Sequence, residues 1–207
     1  MKTVAVTQRT SVIGPFDEIR DTLDHRLISW LRVCGFHVVG IPNYFAVEGE
    51  KASDSLRSWV RNIRPIGFLL TGGDDLGLDK SRDELEFEIL KIASENVFPV
   101  LGICRGMQIM SVWGGGTISP VKGHVGVRHD LCSPTKRSVN SYHTYKVEKM
   151  PSDFSSFEHS TEGVIEAIRH DSLPWEGWMW HPEREVPFAS EDKENLSRIF
   201  NRSVEND

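Results

Sequence analysis

Val97-Phe98-Pro99-Val100-Leu101-Gly102-Ile103-Cys104-Arg105-Gly106-Met107-Gln108-Ile109-Met110-Ser111-Val112-Trp113-Gly114-Gly115-Gly116 is the stretch on which the fold turns. Val97–Ile103 has the apolar character of a strand buried on both faces of a parallel sheet, and it passes without a spacer into Cys104. Arg105–Trp113 then takes on helical character, and the triple glycine stops it. Gly102-Ile103-Cys104-Arg105-Gly106 is therefore G-x-C-x-G between strand and helix, the thiol form of a nucleophile elbow. Small residues on either side let strand and helix pass close together. The sulfur lies at a helix N-terminus, where the dipole and free N–H groups favour negative charge. Taken alone, the motif also describes a buried structural cysteine between two packing glycines.

Upstream, the pattern repeats. Thr3–Gln8 reads as a strand, Glu18–Gly35 as a helix, Phe36–Ile41 as a strand and Asp54–Ile63 as a shorter helix. In Glu18–Gly35 the residues Ile19, Leu23, Leu27, Trp30, Leu31 and Cys34 share one helical face. Ile66–Leu70 is a second buried strand, opening into the glycine turn Thr71-Gly72-Gly73, and Asp83–Asn96 is helical. This alternation predicts an α/β fold of three layers, α/β/α, with a mostly parallel central sheet. Downstream, Val125–Leu131, Lys136–Asn140 and Tyr145–Glu148 read as short strands around a Ser133-Pro134 turn. Gly163–Ile168 and Gly177–Trp180 read as further strands, and Glu191–Phe200 as a closing helix.

The composition agrees with a globular chain: 207 residues, 39% hydrophobic and 26% charged, which suits a single domain over 1–207. A formal charge of −6 argues against nonspecific nucleic-acid binding. Three cysteines, Cys34, Cys104 and Cys132, are too few and too scattered for a disulfide framework, and no CxxC or paired Cys/His spacing suggests zinc. No signal peptide or membrane span is visible, so a cytoplasmic location is expected. Cys34 reads as core and Cys132 as an incidental thiol.

A nucleophilic thiol needs a base, and the base needs an orienting group. Trp180-His181-Pro182-Glu183 offers both after a strand, with Glu183 placed to reach back to the His181 imidazole. Arg82, Asp83 and Glu86 open a helix, where acidic residues suit the dipole, and Glu86 could also lie beneath the elbow. His124, Arg128 and His129 read as a solvated strand edge in preference to a pocket lining. Trp175, Trp178 and Trp180 cluster before His181, and one of them could wall a site.

Leu101–Ile109 and His181-Pro182-Glu183 together resemble the class I glutamine amidotransferase superfamily, with its flavodoxin-like fold, and within it the stand-alone γ-glutamyl hydrolases of the C26 peptidase family. Leu69–Asp74, Arg82–Glu86, Gly115–Thr117, Val139–His143 and Gly163–Ala167 follow that branch in order, covering roughly residues 66–185. The resemblance implies attack by Cys104 on a γ-glutamyl carbonyl, a thioester, and hydrolysis to glutamate, with His181 and Glu183 completing a triad. It also implies an oxyanion hole from the N–H groups of Gly73 and Arg105, and substrate contacts from Gln108, Ser141 and His143. Neither metal nor organic cofactor is expected. Two segments depart from the family pattern, Gly177-Trp178-Met179-Trp180 and Ser141-Tyr142-His143-Thr144-Tyr145, which leaves the leaving-group side of the pocket open.

Thr7-Gln8-Arg9, Arg20–Asp24 and Ile41-Pro42-Asn43 resemble a narrower subgroup, the γ-glutamyl-CDP-amidate hydrolases of capsule phosphoramidate synthesis. Its substrate carries phosphates, for which Arg9, Arg20, Arg26, Arg128 and Arg137 are candidate partners. The alternatives are a general γ-glutamyl amine or peptide hydrolase, a glutaminase subunit feeding ammonia to a separate synthase, and a non-enzymatic cysteine sensor or binding module. The expected partner is a small γ-glutamyl molecule, with neither nucleic acid nor membrane, and a homodimer is left open.

Overall fold

The structure is a computed structural model and describes residues 2–46, 52–132 and 137–201. The expected Ser133-Pro134 turn and the first residue of the Lys136–Asn140 strand lie outside the described residues. In chain order the first half runs β1 (Thr3–Thr7), β2 (Arg9–Ile13), β3 (Glu18–Thr22), α1 (His25–Val33), β4 (His37–Ile41), α2 (Ala52–Ile63), β5 (Gly67–Leu70), α3 (Lys80–Glu95), β6 (Val100–Ile103) and α4 (Arg105–Trp113). The second half adds β7 (Thr117–Pro120), β8 (Val125–Asp130), β9 (Ser138–Tyr142), β10 (Tyr145–Lys149), β11 (Phe154–His159), β12 (Ile165–His170), β13 (Trp175–Trp178) and α5 (Ser190–Asn201).

Seven strands form the central sheet in the order β11-β12-β13-β6-β5-β1-β4. The five from β13 to β4 are mutually parallel, and β12 and β11 extend one edge with antiparallel pairing. Helices flank the sheet, giving the expected three-layer α/β/α architecture. Every residue of β5, β6 and β13 is buried, as parallel strands covered on both faces must be. The one charged residue in β13, Glu176, is neutralised by Arg198 at 2.8 Å. The remaining strands make three two-stranded sheets, β2–β3, β7–β10 and β8–β9. Among the described residues no helix is long and apolar enough to cross a membrane.

One expected element is corrected. Glu18–Gly35 is not a single helix: Glu18–Thr22 pairs with Arg9–Ile13 as an antiparallel hairpin, and the helix begins only at His25. Asp24 sets that start, its carboxylate accepting the Arg26 N–H as an N-cap. Ile19, which matched the helical spacing, points to solvent at 71% exposure, while Leu27, Trp30 and Leu31 form the buried face of α1. β7 and β11 went unread because their short, mixed sequences carry no clean alternation.

At the β6–α4 junction the two elbow glycines are required by close approach. A Cβ on Gly102 would lie 2.5 Å from the Gly106 carbonyl carbon, and one on Gly106 would strike the Leu70 carbonyl oxygen of β5.

Candidate active site

Parallel pairing places the reactive groups. β6 and β13 are neighbours with Trp178 opposite Ile103, so the chain leaves both strands at the same end of the sheet. Cys104 follows β6 directly and His181 lies three residues after β13, which brings the two side chains together at the carboxyl edge, where open α/β sheets bind ligands. Cys104 caps α4 with φ 51° and ψ −104°, a conformation that costs an L-residue of order 1–3 kcal/mol and is found at sites where geometry must be imposed. Its N–H is held by the Trp178 carbonyl at 2.7 Å, tying the elbow to β13.

His181 is fixed from two directions. Asn140, on β9, accepts the His181 N–H through Oδ1 at 2.9 Å and donates from Nδ2 to the His181 carbonyl at 2.8 Å. Glu183 Oε1 lies 2.7 Å from His181 Nδ1, leaving Nε2 for the sulfur side. Burial works against a charged imidazole here, but hydrogen bonding to Cys104 and Glu183, with the attraction of both, outweighs it and raises the His181 pKa to about 9. The ring is thus protonated at neutral pH.

A cavity of about 240 Å³ opens over this pair, lined by Arg9, Leu23, Leu27, Thr71, Gly72, Gly73, Cys104, Tyr142, His181 and Arg184 among others. A buried ion network lies beneath it. Arg82 donates to the carbonyls of Thr71 (2.8 Å) and Gly72 (3.1 Å), to Thr71 Oγ1 (2.9 Å) and to Glu86 (3.1 Å). Glu86 also receives Arg105, whose guanidinium reaches Asp83 as well. Glu86 therefore does lie beneath the elbow. The network has a directional consequence. A trans peptide is planar with its C=O and N–H pointing oppositely, so Arg82, by holding the Gly72 carbonyl, turns the Gly73 N–H away from itself. Gly73 lines the cavity, and a Cβ there would collide with the Arg82 guanidinium. Arg105 supplies the first N–H of α4, one of the helix donors with no intrahelical partner.

Cys104, His181, Glu183 and Gly73 thus gather at the cavity, with Arg105 directly behind the sulfur. Gln108, Ser141 and His143 do not line it. Gln108 is buried and donates to the Tyr145 carbonyl at 3.2 Å, and Ser141 is spent on the His124 carbonyl at 2.7 Å. His143 turns to a group of buried histidines. Strand alternation is the reason: along β9 and its exit, Ser141 and His143 point one way and Tyr142 the other, into the cavity. Tyr142 presents its ring edge-on to His181 and carries Arg184 over its face at 4.3 Å. Tyr142 and Arg184 were missed by the sequence reading, although Arg184 adjoins the His181-Pro182-Glu183 segment that led to the site.

Other expectations are also corrected. His124 and His129 are buried, and only Arg128 lies on the exposed edge, paired with Glu185. Trp175, Trp178 and Trp180 are core, the last two stacked 5.4 Å apart, and none lines the cavity. Of the five arginines weighed for phosphate, only Arg9 lines it; Arg20 pairs with Glu18, Arg26 is exposed, and Arg137 pairs with Asp192 and packs on Trp180. Cys34 packs half-buried against the core, where burial pushes its thiol up to about 11; Cys132 is exposed.

Residues 18–200 match the family model described as glutamine amidotransferase class-I. A γ-glutamyl-CDP-amidate hydrolase of Campylobacter jejuni is 36% identical over 123 residues, covering 56% of this chain but 62% of that protein's length. One of the subunits of the glutamine-hydrolysing GMP synthase of Methanocaldococcus jannaschii is 25% identical over 84% of this chain and 90% of its own. The crystal structure of a Thermoplasma acidophilum protein, described as a GMP synthase subunit, superposes with a TM-score of 0.69 at 19% identity, over 97% of this chain and 93% of that one, so the two share a fold. The chain belongs to the class I glutamine amidotransferase family.

Proposed function

We propose that the protein hydrolyses a γ-glutamyl C–N bond with Cys104 as nucleophile, His181 as acid and base and Glu183 as orienting carboxylate. The observation that carries this reading is the Cys104 elbow facing a His181 ring whose Nδ1 is held by Glu183 at 2.7 Å, inside a cavity. The Cys104 sulfur attacks the γ-carbonyl, and the oxyanion is met by the N–H groups of Gly73 and Arg105, a contribution of roughly 3–4 kcal/mol. The His181 imidazolium gives its proton to the departing nitrogen, leaving a γ-glutamyl thioester. The now neutral ring takes a proton from water as it attacks the thioester, the sulfur leaves as thiolate beside the re-formed imidazolium, and glutamate is freed.

The leaving group we favour is a phosphate-bearing one, as in a γ-glutamyl nucleotide amidate. Arg9 and Arg184 both line the cavity beside Asp24 and Glu183, Arg9 holding an exposed pair with Asp74 at 3.1 Å that a phosphate could displace, and the C. jejuni relative carries the matching name. Purified protein supplied with γ-glutamyl-CDP-amidate, with simple γ-glutamyl amines and with glutamine, reading released glutamate, decides the matter. Arg9→Ala and Arg184→Ala should raise KM for the nucleotide substrate by roughly tenfold each, with little effect on a small amide. Turnover of small amides with no action on the nucleotide substrate would overturn this preference. The second reading is a glutaminase subunit, favoured by the longer alignment with the GMP synthase component. It requires glutamine turnover that rises sharply with an added synthase.

The raised His181 pKa sets a pH profile. The acid form must be present to protonate the leaving nitrogen, so kcat/KM should hold through neutrality and fall as pH rises through about 9. Cys104 helps hold that proton, so in Cys104→Ala the His181 ring, followed by NMR, should titrate at lower pH than in the wild type. A decline already complete by pH 7, or an unchanged titration, would contradict the assignment.

A further inference from the structure

Behind the wall formed by β9, away from the cavity, His124, His129, His143 and Glu166 come together, all buried, with one donor atom from each within 4.8 Å of the others. Three of these atoms are almost equidistant: His124 Nδ1 to His143 Nε2 is 3.2 Å, His124 Nδ1 to Glu166 Oε1 is 3.7 Å, and His143 Nε2 to Glu166 Oε1 is 3.6 Å. Four ligands at about 2.0–2.2 Å in a tetrahedron have edges of roughly 3.4 Å, close to that spacing. Glu166 is fully buried on β12, and neither of its carboxylate oxygens has a hydrogen-bond partner. Burying a carboxylate without donors or a cation is among the most costly arrangements in a folded chain. His129 Nε2 likewise has no hydrogen-bond partner, and His124 Nε2 has only the exposed Glu162 carboxylate at 3.6 Å.

The supporting contacts have the right polarity. The Tyr145 carbonyl lies 2.9 Å from His143 Nδ1, which places the proton there and turns the Nε2 lone pair toward the cluster. A backbone carbonyl fixing the tautomer of a histidine in this way is the usual outer partner of a metal-bound imidazole.

We propose that His124, His129, His143 and Glu166 form a structural site for one divalent transition-metal ion, zinc by its three-nitrogen, one-oxygen donor set. The site would join three pieces of chain that are distant in sequence: the approach to and body of β8, the exit of β9, and β12 of the central sheet. β9 carries Asn140, which clamps His181, and Tyr142, which lines the cavity, so the ion would fasten the wall of the active site to the sheet.

The test is elemental analysis of full-length wild type, Cys104→Ala, His129→Ala and Glu166→Gln after dialysis, with thermal melts before and after chelation. The expected result is about one zinc per chain in wild type and in Cys104→Ala, a content reduced roughly tenfold or more in the other two, and a lower melting temperature after chelation that added zinc restores. Should the variants fail to fold, cobalt added to chelated wild type should give the visible bands of a tetrahedral site. Wild type that holds only trace metal, with neither zinc nor cobalt shifting its melting temperature, would overturn the proposal. So would zinc retained by His129→Ala and Glu166→Gln but lost from Cys104→Ala, which would place the ion on the nucleophile. Neither readout depends on turnover, so the site and the hydrolase reading stand or fall separately.

Discussion

Cys104→Ala is expected to lower glutamate release by about four to six orders of magnitude, almost wholly in kcat, with the protein still folded. The side chain contributes one sulfur atom to a site whose shape is set by backbone, so alanine keeps the Cβ and the elbow. No substitute nucleophile stands ready among the described cavity residues. The Thr71 hydroxyl is engaged by the Thr7 carbonyl and by Arg82, and the Tyr142 ring stands edge-on to His181. Because nucleophile and base act as one unit, adding His181→Ala to Cys104→Ala should cost little more. The measurement is glutamate released per chain by both variants beside wild type, with circular dichroism and a melt to establish folding. Residual turnover above about one per cent in a folded Cys104→Ala would remove the cysteine from the mechanism.

Glu86→Ala is expected to lower the unfolding free energy by about 3–5 kcal/mol, the range found when one member of a buried ion network is removed. Glu86 is fully buried and takes charge from both Arg82 and Arg105, so its loss leaves two buried guanidiniums undercompensated. Burial already pulls the Arg82 pKa below its ordinary value, against the attraction of Glu86. Glu86→Gln, which keeps a hydrogen-bonding amide, should cost less. Glu95→Ala, which breaks a partly exposed pair with Arg57, should cost far less than Glu86→Ala, because solvent screens that pair. Urea unfolding with unchanged m-values checks all three. An Ala variant within about 1 kcal/mol of wild type would show that the network does not hold the elbow.

Much of this molecule is legible from sequence where burial is complete. Ile66–Leu70 and the Val100–Ile103 part of Val97–Ile103 read as strands because a parallel strand covered on both faces tolerates little polarity, while Val97, 58% exposed with φ 55°, belongs to the turn before β6; α4 reads to the residue because glycines end it. That Cys104 and His181 meet at one cavity is legible because each follows a strand of the parallel sheet, and the Glu86 pairing because Glu86 lies one helical turn from Arg82. The hairpin over Arg9–Thr22 was hidden, since Ile19 kept the spacing of the helix that follows and only the Asp24 cap marked the true start. The orientations of Ser141, Tyr142 and His143 depend on which face of β9 meets the sheet, and period-two alternation alone does not choose a face. The His124, His129, His143 and Glu166 group has no motif because its members, spread over 43 positions of chain, meet only when β8, β9 and β12 are assembled.

The pairing of Trp178 with Ile103 has an evolutionary reading. Cys104 and His181 follow two neighbouring strands of one ladder, so their separation is inherited from backbone hydrogen bonds that no side-chain substitution readily alters. The β2–β3 hairpin and the Arg184–Tyr142 stack sit on the rim, outside that ladder. Substitutions in those parts can reshape the mouth of the cavity while the spacing of Cys104 and His181 stays fixed.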